Sequence, residues 1–150
     1  LLCEFQGARG IGTDLSHGAL AIAAPNATAL GVGDRARFTV SNWLDAIDGT
    51  FDLIISNPPY IESDVIPDLE KDVRDFDPIL ALDGGKNGLQ AYQNIFSKLK
   101  SALKSGGVAL LEIGFDQDQS VMRLSEKYGL RTGALHRDLA GNPRVVEIFL

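Results

Sequence analysis

The stretch Phe51-Asp52-Leu53-Ile54-Ile55-Ser56-Asn57-Pro58-Pro59-Tyr60 decides how the rest of the sequence is interpreted. It opens with a short, nearly continuous apolar run, which is typical of a strand inside a parallel sheet. Two prolines then end the strand, because each fixes its own φ and disfavours helical geometry in the residue before it. The stretch therefore predicts a strand over Phe51–Ser56 and a stiff turn over Asn57–Tyr60.

Similar runs predict the other strands. Val108–Ile113 and Val145–Leu150 resemble Phe51–Ser56, and we expect all three strands to be buried on both faces. Arg9–Asp14 and Arg37–Ser41 are weaker strand candidates.

Other segments show the periodicity of helices. Apolar residues at steps of three and four, with capping residues at the ends, predict helices over Leu89–Lys104, over Gln117–Tyr128 with Gly129 beyond it, and from the N-cap Ser16 towards residue 30. Pro25 lies inside the last of these, so we expect a kink or a restart there.

Strands that alternate with helices indicate an α/β fold in one domain. The 150 residues suffice for one core, and no repeat, low-complexity tract or linker divides them. We predict one mainly parallel sheet with helices on both faces. Ligands of such sheets bind outside the carboxyl ends of the strands. The residues that follow each strand are therefore the candidate site.

The turn over Asn57–Tyr60 offers groups suited to a planar –NH2 group. Pro58 and Pro59 have no N–H, which leaves carbonyls free to accept hydrogen bonds. The Asn57 oxygen and a neighbouring carbonyl can accept two hydrogens, and the Tyr60 ring can fix the plane. Such a nitrogen is a poor nucleophile, so catalysis depends on orienting it towards an electrophilic methyl group. The pattern indicates methyl transfer from S-adenosylmethionine; the alternative is a rigid proline turn with a surface tyrosine.

Two other strand ends carry candidate cofactor residues. Asp14 follows the first strand candidate, where an acid can accept hydrogen bonds from both hydroxyls of a ribose; the alternative is a solvated turn aspartate. Trp43 follows the next strand, and it can stack on an adenine or anchor the core. Gly10 and Gly12 do not form a phosphate loop, because no third glycine follows at the required spacing.

Composition argues against several classes of protein. The net charge of −6 opposes the broad basic surface that duplex nucleic acid requires. The single cysteine, Cys3, excludes an internal disulfide and a multi-cysteine zinc site, which favours a reducing, cytoplasmic setting. No apolar run approaches the roughly 18 residues of a membrane span. His17 and His136 lack metal-ligand spacing, and we predict no metal site.

Taken together, these motifs resemble the class I S-adenosylmethionine-dependent methyltransferases, and within them the HemK/PrmC-type peptide chain release factor glutamine methyltransferases. Asn57-Pro58-Pro59-Tyr60 alone also fits DNA enzymes that methylate amino groups. The discriminating segments lie downstream: Val73–Pro78, Gly84–Leu89, Leu111–Gly114 with Gln117 and Gln119, and Arg137–Val146 with its Asp-Leu-x-Gly-x-x-Arg signature. The resemblance covers nearly the whole chain.

The resemblance implies a Rossmann-like class I methyltransferase fold with an antiparallel C-terminal strand, and it assigns roles to particular residues. Asp14 would bind the cofactor ribose, and Trp43 would lie against the adenine. Asn57, Pro58, Pro59 and Tyr60 would hold the substrate amide beside the methyl donor. Glu112 and Gly114 would lie near the site at the end of a central strand.

The resemblance also implies a partner, a peptide chain release factor whose Gly-Gly-Gln motif supplies the target glutamine. Arg74, Arg137 and Arg144 could meet an acidic part of this partner, or could form surface salt bridges. No membrane or direct DNA contact is expected, and the sequence sets no oligomeric state.

The family pattern further implies that residues 1–150 are the C-terminal part of the catalytic domain. The family has an N-terminal substrate-recognition domain, and a strand with a glycine-rich loop, which we expect to lie before Leu1. Leu1–Gly7 resembles the end of the helix that follows this loop.

Two alternative functions follow from the same residues. An adenine-N6 DNA methyltransferase would share Asn57–Tyr60, but it needs base flipping and a basic groove, against which the net charge of −6 counts. A catalytically silent module is the other alternative, since loss of the glycine-rich loop would remove cofactor contacts.

Overall fold

The computed structural model describes every residue from Leu1 to Leu150. Its helices and strands are, in chain order, β1 (Gly10–Asp14), α1 (His17–Ala29), β2 (Ala36–Val40), β3 (Phe51–Ser56), α2 (Lys71–Phe76), α3 (Ile79–Leu82), α4 (Gln90–Ala102), β4 (Leu103–Glu112), α5 (Asp118–Lys127), β5 (Arg131–Arg137) and β6 (Pro143–Phe149). Short 3₁₀ turns occur at Gly33–Arg35 and Ile66–Asp68. None of the helices combines the length and the apolar character that crossing a bilayer requires.

The chain divides into two compact units, Leu1–Asp48 and Gly49–Leu150. In the first unit, β1 and β2 pair in parallel, and Asp14 lies opposite Val40 at their carboxyl ends. The helix between them begins as predicted, because the Ser16 hydroxyl accepts a hydrogen bond from the Ala19 N–H at 3.2 Å. This βαβ arrangement places the ends of both strands side by side.

The first residues of this unit form turns rather than the helix end that the resemblance implied. The guanidinium of Arg35 donates to the carbonyls of Leu2, Phe5 and Ala8, at 2.7 to 3.1 Å. A side chain from the 3₁₀ turn before β2 therefore fixes the path of this segment.

The second unit contains a mixed sheet with the strand order β3-β4-β6-β5. β3 and β4 are parallel, while β6 runs antiparallel to both of its neighbours, which confirms the predicted antiparallel C-terminal strand. The buried face of α4 and the interiors of β4, α5 and β6 form its core, with the fully buried side chains Tyr92, Ile95, Phe96, Leu99, Leu111, Ile113, Val121, Val146 and Ile148. Hydrophobic burial on this sheet is what holds the end of β4 in place.

Several sequence predictions need correction. The strands form two sheets rather than one, because β1 pairs only with β2 and β3 only with β4. β3 is an edge strand, and Leu53 and Ile55 are 36% and 53% exposed, so it is not buried on both faces. β5 was missed because its sequence contains Gly133 and no apolar run. The assignment of residues 1–150 to one catalytic domain stays a prediction.

Two helix boundaries also differ from expectation. α4 ends at Ala102 rather than Lys104, and Leu103 already begins β4. α1 continues through Pro25, so the restart, one of the two outcomes expected there, does not occur. It is rich in alanine, the residue with the highest helix propensity, and this offsets the loss of one backbone donor.

Replacing Pro25 by alanine should stabilise the protein. The substitution restores an N–H that can donate to the preceding turn, with a gain of up to about 3 kcal/mol in a helix interior. Urea unfolding followed by circular dichroism measures this gain. Pro67→Ala is the control: Pro67 lies in the first turn of a 3₁₀ helix, where no N–H is needed. Equal stability of Pro25→Ala and the parent would show that Pro25 costs α1 nothing.

Candidate active site

The turn that follows β3 borders a cavity of about 380 Å³. Its lining consists of Asn57, Pro58, Pro59, Tyr60, Ile61, Asp77, Pro78, Ala81 and Leu82. Pro58 is buried, whereas Asn57 is exposed and its side-chain amide forms no hydrogen bond within the protein. The Asn57 amide is therefore available to an external ligand.

The backbone beyond the turn is fixed by a short parallel pairing. The Ile61 N–H donates to the Leu82 carbonyl at 3.1 Å, and the Gly84 N–H donates to the Ile61 carbonyl at 2.8 Å. A Cβ at Gly84 would lie 2.8 Å from the Tyr60 Cα, so only glycine allows this approach. The pairing holds the end of the turn against the segment that leads into α4.

The Tyr60 hydroxyl donates to Glu112 Oε1 at 3.4 Å. Glu112 is the last residue of β4, the parallel neighbour of β3, which agrees with the expectation that it lies near the turn. Burial raises the pKa of the Tyr60 phenol, and the nearby Glu112 carboxylate raises it further. Tyr60 is therefore a neutral hydrogen-bond donor at physiological pH.

Arg144 stands beside this pair, and its positive charge lowers the pKa of the Tyr60 phenol, against the effects of burial and Glu112. Its guanidinium donates to the Ile113 carbonyl at 3.4 Å and forms an ion pair with Asp138 at 3.3 Å. The backbone N–H of Asn142 and the Arg144 side chain both hold the pKa of Asp138 below its ordinary value. Sequence reasoning missed this link between Arg144 and the site, although the Asp-Leu-x-Gly-x-x-Arg signature contains both ionic partners.

In the first unit, Asp14 ends β1 with one free oxygen. Its Oδ1 accepts the Ser16 N–H at 2.7 Å, and Oδ2 has no partner within the protein. The Asp14 carbonyl accepts the Ser41 N–H at 3.1 Å, which fixes the residue after β2 beside it. A carboxylate oxygen thus remains for an external donor.

Trp43 lies two residues beyond Ser41 in an unusual backbone conformation. Its φ is 55°, and it is the only non-glycine residue of the chain with a positive φ. For a bulky side chain this conformation costs on the order of 1–2 kcal/mol, and such strain concentrates at functional sites. The indole is half-buried. The structure therefore brings Asp14 and the turn of Trp43 to the same end of the β1–β2 pair.

Asp14 and Trp43 belong to the first unit and Asn57–Tyr60 to the second, and each group is described within its own unit. The roles assigned to them from the sequence stay predictions. Arg74 forms an ion pair with Asp75 at 2.9 Å, and Arg137 donates to the Gly141 carbonyl at 2.8 Å. Their side chains are thus engaged within the chain.

The sequence of the chain is similar to those of known methyltransferases. Residues 4–72 match the family model described as "Methyltransferase small domain". A release factor glutamine methyltransferase of Cereibacter sphaeroides is 46% identical over 150 residues, which are all of this chain and 54% of the relative. Another from Bradyrhizobium diazoefficiens is 44% identical over 148 residues, 98% of this chain and 50% of the relative. This chain is similar in sequence to release factor glutamine methyltransferases over nearly all of its own length.

The chain spans about half the length of these curated relatives. The expected Rossmann-like class I methyltransferase fold is also confirmed. A crystal structure of a methyltransferase from Pyrococcus furiosus aligns with a TM-score of 0.71 at 18% identity, over 99% of this chain and 66% of that one.

Replacing Glu112 by glutamine should lower the pKa of Tyr60. The substitution removes a carboxylate charge that raises this pKa, while the Arg144 guanidinium that lowers it remains. The raised pKa also means that the folded state loses stability as the pH rises above about 10, where unfolded tyrosines ionise. Ultraviolet titration of each protein, minus that of its Tyr60→Phe counterpart, isolates the Tyr60 phenol.

The control for this titration is Glu126→Gln on α5, an exposed carboxylate away from Tyr60. It should leave the Tyr60 titration unchanged. A Tyr60 pKa that does not fall in Glu112→Gln would contradict the contact between the two side chains.

Proposed function

We propose that this chain is the catalytic part of an S-adenosylmethionine-dependent methyltransferase that acts on the glutamine side-chain amide in the Gly-Gly-Gln motif of a peptide chain release factor. The observation that carries the proposal is the unpartnered Asn57 amide at a cavity bordered by two prolines and an aromatic ring. The names of the homologous proteins support the substrate class. The enzyme would act in the cytoplasm, where release factors work.

The turn suits a glutamine amide by its hydrogen-bonding capacity. The Asn57 Oδ1 and a carbonyl of the proline turn can accept the two amide hydrogens, and the Tyr60 ring can pack on the amide plane. Neither of these two acceptors carries a charge, which suits a neutral amide. The cavity of about 380 Å³ has the volume for such a side chain.

Catalysis at this turn would consist mainly of orientation. The amide nitrogen would form a bond to the methyl carbon while the bond between that carbon and the sulfonium sulfur breaks, and the electron pair of the broken bond would stay on sulfur as a neutral thioether. Positive charge would develop on the nitrogen until its proton passes to solvent water. Acceptors fixed on the two N–H groups orient the nitrogen and stabilise this charge, an effect of about 3–4 kcal/mol for one such contact. Alignment of the reacting atoms can supply about 7–11 kcal/mol.

The first unit contains residues that fit the cofactor. S-adenosylmethionine supplies the electrophilic methyl group when it is bound. The free Oδ2 of Asp14 and the oxygen shared with Ser16 can accept the ribose hydroxyls, and the Trp43 indole offers a face for adenine. The strained backbone of Trp43 is consistent with a side chain held for binding.

Replacing Asp14 by alanine should weaken binding of S-adenosylmethionine by about tenfold or more, because hydrogen bonds to a charged group contribute about 1.5–3 kcal/mol. Calorimetric titration measures the change. Asp34→Ala is the control, since Asp34 is an exposed acid of the same unit before the start of β2. Equal affinities of the two variants would remove Asp14 from the cofactor site.

Replacing Asn57 by alanine should lower the methylation rate 100-fold or more, on the order of 3 kcal/mol, because one of the two amide acceptors is lost. The assay follows transfer of a labelled methyl group from S-adenosylmethionine to a release factor. Asn94→Ala, an exposed position on α4, should retain the parent rate. Unchanged activity in Asn57→Ala would exclude the assigned role.

The same assay with duplex DNA as acceptor tests the second substrate class. The net charge of −6 predicts no label in DNA. Label in adenine instead of the release factor would replace the proposal by a DNA methyltransferase.

A further inference from the structure

The side-chain amide of Gln117 is buried beside the Asn57–Tyr60 turn. Gln117 is only 8% exposed, and it precedes α5 directly. Its Nε2 donates to the carbonyls of Tyr60, at 3.0 Å, and Gly88, at 3.2 Å. Its Oε1 accepts the Gly114 N–H at 3.0 Å. Both donor hydrogens and the oxygen are therefore used by three separate segments of backbone.

Glycines on two sides make room for this amide. A Cβ at Gly88 would collide with the Tyr60 carbonyl oxygen and would lie 2.5 Å from Gln117 Nε2, and Gly88 has a φ of 64°. A Cβ at Gly114 would lie 3.0 Å from Gln117 Oε1. These contacts leave no space for a side chain at Gly88, and at Gly114 a side chain would force the Gln117 amide to shift. The backbone around Gln117 is thus shaped to receive an amide.

The amide also reaches the end of β4 through Tyr92. The Tyr92 hydroxyl lies 2.9 Å from the Glu112 carbonyl and 3.4 Å from Gln117 Oε1, so its single proton is directed mainly to the carbonyl. Glu112 in turn accepts the Tyr60 hydroxyl. Tyr60 is therefore held at its backbone carbonyl by Gln117 and at its hydroxyl by Glu112.

We propose that Gln117 is a positioning residue for the amide-binding turn, fixing the Tyr60 carbonyl and with it the orientation of Asn57–Tyr60. The role in catalysis rests on the proposed function, whereas the role in fixing the turn does not. The polarity of the amide is essential, because its N–H groups face the Tyr60 and Gly88 carbonyls and its oxygen faces the Gly114 N–H. A carboxylate can accept from the Gly114 N–H but cannot donate to the two carbonyls, and a methionine side chain can make none of the three hydrogen bonds.

Hydrogen exchange of individual backbone amides, followed by NMR, tests this polarity without reference to activity. In Gln117→Glu, the backbone amides of Ile61 and Gly84, which form the pairing that fixes the end of the turn, should exchange about tenfold faster. The Gly114 amide should stay protected, because the carboxylate can still accept its hydrogen bond. In Gln117→Met, all three should lose protection. Gln119→Glu, an exposed position two residues further on in α5, should change none of them.

The pH dependence of Gln117→Glu gives a second readout. A protonated carboxyl can donate to the Tyr60 carbonyl, so protection of Ile61 should return as the pH falls through the pKa of the new side chain. Gln117→Met should show no such recovery. If Gln117→Glu does not fold, the loss of protection at Ile61, Gly84 and Gly114 in Gln117→Met tests the proposal by itself.

In the methylation assay, Gln117→Met should lower kcat by about tenfold or more with an unchanged dissociation constant for S-adenosylmethionine. The opposite result is faster amide exchange over all of β4 and β6, by an amount that matches the loss in the free energy of unfolding. It would show that Gln117 only stabilises the fold, and it would overturn the proposal. Local loss of protection in a protein whose parent methylates no release factor would refute the proposed function and leave the positioning of the turn intact.

Discussion

The Asn57–Tyr60 turn lacks the internal hydrogen bonds that would fix its own conformation. The surrounding structure has to supply the restraints. Pro58 and Pro59 free carbonyls for a substrate because they have no N–H, but for the same reason they contribute none of the hydrogen bonds by which most turns close. The restraints therefore come from outside. The Ile61 pairing with residues 82–84 fixes the backbone after the turn, and β4 supplies the acceptor for the Tyr60 hydroxyl. The turn therefore owes its fixed conformation to contacts with segments that are distant in sequence.

Most charged groups around the turn are paired within the protein, whereas the Asp77 carboxylate lines the cavity itself. Arg144 is bonded to Asp138 and to the Ile113 carbonyl, and it also lies close enough to Tyr60 to lower the pKa of its phenol. The Glu112 carboxylate is engaged by the Tyr60 phenol, whose pKa is raised. A neutral amide entering such a site meets dipoles that can follow the charge developing on its nitrogen. A free cation at the same place would oppose that charge.

The sequence was sufficient where structure follows from neighbouring residues. β3 has the predicted bounds, Ser16 caps α1, and Gly129 takes a positive φ after α5. The sequence was insufficient where contacts between distant segments determine the local structure. The contact between Gln117 and Tyr60 joins positions 57 residues apart, and nothing local to either residue specifies it. β5 is a strand because β6 pairs with it, although its own composition favours a turn.

Three residues at strand ends present groups that the protein's own contacts leave strained or unused. Trp43 adopts a backbone conformation normally left to glycine, Asp14 keeps one carboxylate oxygen without a partner, and Asn57 leaves its amide unbonded. Only the conformation of Trp43 forgoes stability, because the unpartnered groups of Asp14 and Asn57 are exposed and hydrated. All three residues follow the carboxyl ends of parallel strands, where this type of fold binds its ligands. The strain at Trp43 in that position is consistent with a side chain held for a ligand, and Asp14 and Asn57 offer hydrogen-bonding groups at the ends of their own strands.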